Sequence, residues 1–180
     1  MLPYSSWRSA LLLAAAGVLG AATAQAQTVI LVRHAERAMQ PGNDPGLSPA
    51  GQARAGALTE ALRDARLTRV VSSSFQRTRQ TAGPAAKAAK VEVEVLPIAG
   101  DAKTHVAATV DLIKTLPRNG VVLVVGHSNT VPLIAAALGV RTAVTIRECE
   151  FDRMMVISLG KTPPIAVLSR YGAPAADCPK

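Results

Sequence analysis

A chain of 180 residues, 49% hydrophobic and carrying a formal net charge of +8, is long enough for one compact domain with its own core and too short for two of ordinary size. Its basic residues are scattered, with no run of five, and its aromatic residues number one Trp, two Tyr and two Phe. This excludes nucleic acid as the expected partner, because neither a basic stripe nor a set of stacking platforms is present. The charge instead points to small anionic molecules or an anionic envelope surface.

The first stretch stands apart from the rest. Arg8 forms a short basic region, Ala10 to Ala22 is an apolar run of Leu, Ala, Gly and Val, and Ala24-Gln25-Ala26 has the small-x-small pattern of a cleavage site. The run is shorter than the roughly 20 residues that cross a bilayer. Residues 1–26 therefore read as a secretory signal peptide and residues 27–180 as the mature domain, periplasmic or secreted, with no membrane anchor after cleavage. Loss of one base and no acid leaves the mature chain at +7. Cys149 and Cys178 are the only cysteines. In an oxidising compartment they are expected to form a disulfide worth about 3 kcal/mol by loop entropy, and their spacing suggests no metal site.

Val29-Ile30-Leu31-Val32 is apolar without alternation, the pattern of a strand buried on both faces, and it runs directly into Arg33-His34-Ala35-Glu36. A turn-rich loop, Ala38 to Ser48, follows, and Ser48-Pro49 opens a helix reaching about Asp64. Arg69 to Ser72 is a short strand. The serines after it are placed to cap the next helix, which Gly83-Pro84 should bend or interrupt. Val91 to Val95 alternates and reads as a half-wet strand near a sheet edge. A helix over Thr104 to Leu116 precedes the strongest buried strand, Val121 to Val125, which delivers Gly126-His127-Ser128-Asn129 to a further helix, Thr130 to Leu138. Met154 to Leu159 and Ile165 to Leu168 are the last predicted strands. Strands alternating with helices predict a three-layer α/β/α sandwich with a mostly parallel sheet.

In such a sheet the carboxyl ends of the strands share one edge, where ligands bind. Arg33, His34 and His127 directly follow predicted buried strands, and Arg77 lies in the first turn of a helix after another. Two imidazoles and two guanidinium groups converging there suit a phosphoryl group: arginines neutralise its oxygens and a histidine attacks phosphorus.

Val32-Arg33-His34-Ala35-Glu36, the segment from Ser72 through Arg77 to Thr81-Ala82, Val125-Gly126-His127-Ser128, and the helix start Leu47-Ser48-Pro49-Ala50-Gly51 together resemble the histidine phosphatase, or phosphoglycerate-mutase-like, superfamily. The resemblance implies a phosphoglycerate-mutase-like fold and a phosphatase that needs no metal or other cofactor. His34 would be the transiently phosphorylated nucleophile. Arg33, Arg77 and His127 would form the phosphate pocket, with His127 donating to a phosphoryl oxygen. Read from the residues themselves, Ser48 is a further candidate substrate contact, and Asn129 is expected to cap the helix that it opens, with a substrate contact as the alternative. Relatives usually carry an acid for the leaving group. Among Glu92, Glu94, Asp101 and Asp111, only Asp101 is expected at the correct sheet edge. Glu36 and Arg37 are expected either at the pocket rim or as an exposed helix-start pair, Arg79 pointing away, and His105, the alternative to Asp101 as acid, on the surface of a helix start. The substrate would be a phosphorylated small molecule or envelope component. Without an acid, it would be one with a good leaving group, as in a phosphohistidine-type protein phosphatase. A phosphoryl-binding member without turnover is the remaining alternative.

Overall fold

The computed structural model describes residues 26–175, so the signal-peptide reading and Cys178 lie outside the described residues. The elements are β1 (Thr28–Arg33), α1 (Pro49–Ala61), β2 (Arg69–Ser73), α2 (Gln76–Ala89), β3 (Val93–Leu96), α3 (Ala102–Thr115), β4 (Val121–Gly126), α4 (Thr130–Ala137), β5 (Arg153–Ser158) and β6 (Ile165–Arg170). The six strands form one sheet in the order β3-β2-β4-β1-β5-β6. β3, β2, β4 and β1 are parallel, while β5 and β6 join antiparallel.

The uninterrupted apolar strands occupy the middle of the sheet because both of their faces are covered. On one face Leu31, Val71 and Val124 pack against Val106, Val110 and Ile113 of α3 and Val131 and Ile134 of α4. On the other, Ile30, Val32, Val70 and Leu123 meet Leu58 of α1 and Ala82, Ala85 and Ala86 of α2. This is the three-layer sandwich expected. The alternating strand β3 lies at the sheet edge, as its pattern predicted.

Three local expectations change. α2 runs unbroken through Pro84. Pro84 lacks the N–H for one helical bond, and Gly83 ahead of it removes the Cβ that would crowd the proline ring. The serines do not cap α2: its N-cap is Phe75, with no side-chain bond, and the Gln76 N–H donates instead to Asp44 Oδ1 from the distant turn-rich loop. α3 starts at Ala102, with Asp101 as its N-cap.

Gly51 shows how the segment after β1 is fixed. A Cβ there would lie 2.1 Å from the Glu36 carbonyl oxygen, an impossible approach for any residue but glycine. The Ser48 N–H donates to that same carbonyl at 2.9 Å. The start of α1 is thereby clamped against the chain leaving β1, two residues beyond His34.

Candidate active site

Strand register brings the site together. Arg33 pairs with Gly126 across β1 and β4, and the His34 N–H donates to the Gly126 carbonyl at 2.9 Å, so His34 and His127 leave neighbouring strands side by side. Their ring centroids are 5.3 Å apart in an edge-on arrangement. Gly126 permits the sharp exit, since a Cβ would press on Thr130 Oγ1 and Val131 Cγ2 at 2.9 and 3.0 Å. Thr130 Oγ1 accepts from the His127 N–H. β2 ends beside β4 at Ser73, and four residues on, in the first turn of α2, Arg77 stands at the same edge.

A cavity of about 550 Å³ opens there, lined by Arg33, His34, Arg37, Arg77, His127 and Glu148, with Phe75, Ile98, Ala102, Ser128, Asn129 and Thr130 completing its wall. The four residues predicted to hold a phosphoryl group are therefore together, and Asn129 joins them. Asn129 makes no capping bond.

Arg33 is 4% exposed and almost fully bonded. Its Nη1 donates to the carbonyls of Arg147, Glu148 and Glu150 at 2.9, 2.6 and 3.2 Å, and its Nη2 to Glu148 Oε2 at 2.7 Å. The guanidinium stacks 4.2 Å from the Phe151 ring centre. Only Nε is buried without a partner, and an orphaned buried donor is costly unless a ligand satisfies it. Burial lowers the Arg33 pKa despite the opposing Glu148 charge. Arg77 stacks over Phe75 at 4.1 Å and lies 3.9 Å from Asp44. Its pKa is likewise lowered, chiefly by burial.

His34 Nδ1 lies 2.8 Å from the Ala35 carbonyl oxygen. A carbonyl only accepts, so Nδ1 carries the proton and Nε2 keeps its lone pair. Burial, reinforced by Arg33 and Arg77, pushes the His34 pKa down to about 4. His127 is pushed down to about 3, by burial first and then by His34 and Arg77. Both rings are neutral at pH 7. An NMR titration of the ligand-free protein should place the His34 midpoint near pH 4 instead of the usual 6.5. Because the folded state resists a proton that the unfolded chain accepts, this residue's stability contribution is complete above about pH 6.5 and is lost as pH falls through about 4.

His127 is held by a chain of buried hydroxyls: its Nε2 lies 2.9 Å from Ser73 Oγ, which lies 2.8 Å from Thr78 Oγ1, and Thr78 Oγ1 is in turn within bonding distance of the Ser73 and Phe75 carbonyls.

Other predicted contacts lie elsewhere. Asp101 is exposed and does not line the cavity; its Oδ1 accepts from the Thr104 N–H and hydroxyl, and those bonds lower its pKa. It caps α3 and is not brought to the phosphoryl site. Ser48 caps α1 through a bond from the Gly51 N–H, also outside the cavity. Glu36 makes an ion pair at 2.7 Å with buried Arg54, so of the proposed rim pair only Arg37 reaches the cavity. Arg79 is exposed, away from the cavity. His105 is buried, not on the surface, its Nδ1 unpartnered, because α3 turns it inward beside Val106 and Val110. Cys149 is disulfide-bonded.

Sequence reasoning missed Glu148, Ser73 and Phe151. Glu148 is the only carboxylate among the cavity-lining residues. Its Oε1 accepts a bond from Ser128 Oγ, and that bond first, then Arg33, holds its pKa below the usual carboxylate value.

Residues 29–98 match the family model of the histidine phosphatase superfamily, branch 1. No curated protein matches the chain in sequence. Among solved structures, the protein histidine phosphatase SixA in complex with tungstate is 20% identical, with a TM-score of 0.61 over 82% of this chain and 97% of its own. A mycobacterial glucosyl-3-phosphoglycerate phosphatase is 18% identical, with a TM-score of 0.59 over 82% and 99%. A Nakamurella multipartitia protein described as a phosphohistidine phosphatase SixA is 25% identical, with a TM-score of 0.55 over 84% and 98%. Residues 29–98 are thus similar in sequence to the histidine phosphatase superfamily, and the chain shares its α/β fold with those structures along nearly their full length.

Proposed function

We propose that this protein is a metal-independent phosphatase that works through a phosphohistidine intermediate on His34. The observation that carries the reading is the His34 ring itself: its Nδ1–H is tied to the Ala35 carbonyl, and its Nε2 is an unprotonated nucleophile at neutral pH. The orphaned Arg33 Nε and the Arg77 guanidinium supply the positive charge that a phosphoryl group needs in its transition state. A neighbour of the same fold holds tungstate and another has been solved with inorganic phosphate, which supports an oxyanion site in this architecture.

His34 Nε2 attacks phosphorus in line as the bond to the leaving group breaks. Water then attacks the phosphohistidine, releasing phosphate and restoring Nε2. His127 lines the same cavity and donates to a phosphoryl oxygen; an anionic phosphoryl group opposes the burial and neighbouring charges that lower its pKa and so favours the protonated ring.

No carboxylic acid stands ready to protonate the leaving group. Asp101 caps a helix and Glu148 is ionised. The substrate is therefore one whose leaving group departs readily: an aryl or acyl phosphate, or a phosphohistidine as in the SixA neighbours. The extracytoplasmic setting, with cleavage after Ala26, rests on the sequence pattern.

The mature chain should release phosphate from an aryl phosphate at a rate unchanged by chelator, and release it from an alkyl phosphate at least about a hundredfold more slowly, the contribution typical of a missing general acid. Loss of activity on chelation would refute metal independence, and equal rates on the two esters would refute the missing acid.

A further inference from the structure

Glu148 is an anionic group in a cavity otherwise built for anions, and the phosphoryl-holding role of that cavity does not explain it. The carboxylate is fixed at both oxygens, by Arg33 Nη2 at 2.7 Å and by the Ser128 hydroxyl, yet its side chain is 81% exposed. It does not block the oxyanion site, because the buried Nε of Arg33 remains unpartnered. It takes up one nitrogen of Arg33, Nη2, while the three carbonyl acceptors of Nη1 anchor the guanidinium independently of it. A phosphoryl group attacked by buried His34 departs from its leaving atom on the opposite, open side. Glu148 is the acidic group present on the exposed part of the cavity. Arg37, also exposed there, attracts the phosphoryl anion, and Glu148 sets the preference for charge at the leaving atom.

Resting on the phosphatase reading above, we propose that Glu148 is a specificity-determining residue that favours phosphoryl donors whose leaving atom is a protonated nitrogen over those whose leaving group departs as an anion. N-phosphoryl compounds are thereby favoured over acyl phosphates. With phosphoramidate, whose nitrogen carries three protons at neutral pH, the His34 Nε2–P bond forms as the P–N bond breaks. The bonding pair returns to nitrogen, and ammonia leaves with all three protons, so no acid is required. The Glu148 carboxylate stabilises the positive nitrogen before departure. With acetyl phosphate the departing acetate is anionic, and the same carboxylate repels it.

The test compares kcat/KM for phosphoramidate and acetyl phosphate in the wild-type mature chain and in Glu148→Gln, which keeps the shape and an acceptor oxygen while removing the charge. The wild type should prefer phosphoramidate, and the substitution should lower that preference about tenfold or more. A merely structural role would depress both substrates equally and leave their ratio unmoved, which would overturn the proposal, as would a wild-type preference for acetyl phosphate. Inorganic phosphate inhibition provides a second readout: removing the charge should tighten it several-fold, a gain that misfolding does not produce, and weaker inhibition would count against the proposal. His34→Ala run in parallel separates the two readings, since activity surviving in that variant refutes the phosphatase mechanism, whereas a lost His34→Ala activity with an unmoved substrate ratio refutes only the role of Glu148.

Discussion

His34→Ala should lower kcat/KM for an aryl phosphate by at least about a thousandfold, with no loss of fold. The magnitude follows from removing the atom that forms the covalent bond. Residual turnover would have to come from water attacking a phosphoryl group merely held by the arginines, and such remnants of electrostatic catalysis fall several orders short of the intact site. The fold should survive because the backbone at His34 is anchored independently of its ring: its N–H donates to the Gly126 carbonyl, and the next N–H donates to Thr81 Oγ1. The ring itself bonds only to the adjacent Ala35 carbonyl. Steady-state kinetics beside a thermal melt check both halves of the expectation.

Arg33→Ala should do something different, damaging activity and stability together. Its guanidinium is the donor for three carbonyls of the Arg147–Glu150 turn and for Glu148. Truncation leaves partly buried acceptors unpaired and opens a gap against Phe151. A loss of about 3 kcal/mol is expected from such a site, with kcat/KM falling about a hundredfold or more as the oxyanion donor is lost. Arg77→Ala provides the contrast. Arg77 stacks on Phe75 and stands 3.9 Å from half-exposed Asp44, so it supports much less structure. Activity should fall comparably while unfolding free energy changes by less than about 1 kcal/mol. Chemical denaturation of both variants separates the arginine that builds the site from the arginine that only serves it.

The parts of this site legible in the sequence share one physical cause. β1 and β4 are buried on both faces, so Val29 to Val32 and Val121 to Val125 show unbroken apolar runs, and the first polar residues after them, Arg33, His34 and His127, stand at the sheet edge by geometry alone. Arg77 is found by the same reasoning through the short strand β2. What was not legible depends on contacts between distant segments. Glu148 and the carbonyls around it come from a turn without periodicity, 115 residues beyond Arg33, and no local pattern marks a turn that wraps a guanidinium. Asp44 caps α2 from 32 residues away, displacing the serines whose position suggested that task. Asp101 and Ser48 have the residue types of both ligands and helix caps, and each hydroxyl or carboxylate goes to the nearest orphaned N–H. His105 looked like a surface residue at a helix start. It is buried because the apolar face of α3 carries it inward.

The Cys149 disulfide lies within the same turn that wraps Arg33, between the carbonyls of Glu148 and Glu150. The local chain thus combines a covalent link, the Glu150 carboxylate with its Arg147, Arg153 and Arg170 partners, and the contacts to Arg33. Burial raises the Glu150 pKa, but the Arg147 N–H and then the Arg153 and Arg147 side chains outweigh it and hold the pKa down to about 2. Glu150 therefore stays charged well into the acidic range.

The central claim is the covalent transfer to His34. A single turnover with an aryl phosphate, quenched into alkali where phosphohistidine persists, followed by peptide mass spectrometry, tests it most directly. The account predicts one phosphoryl group on His34 in the wild type and none in His34→Ala. A phosphoryl group found on His127 or His105, or turnover with no phosphorylated peptide, would contradict it.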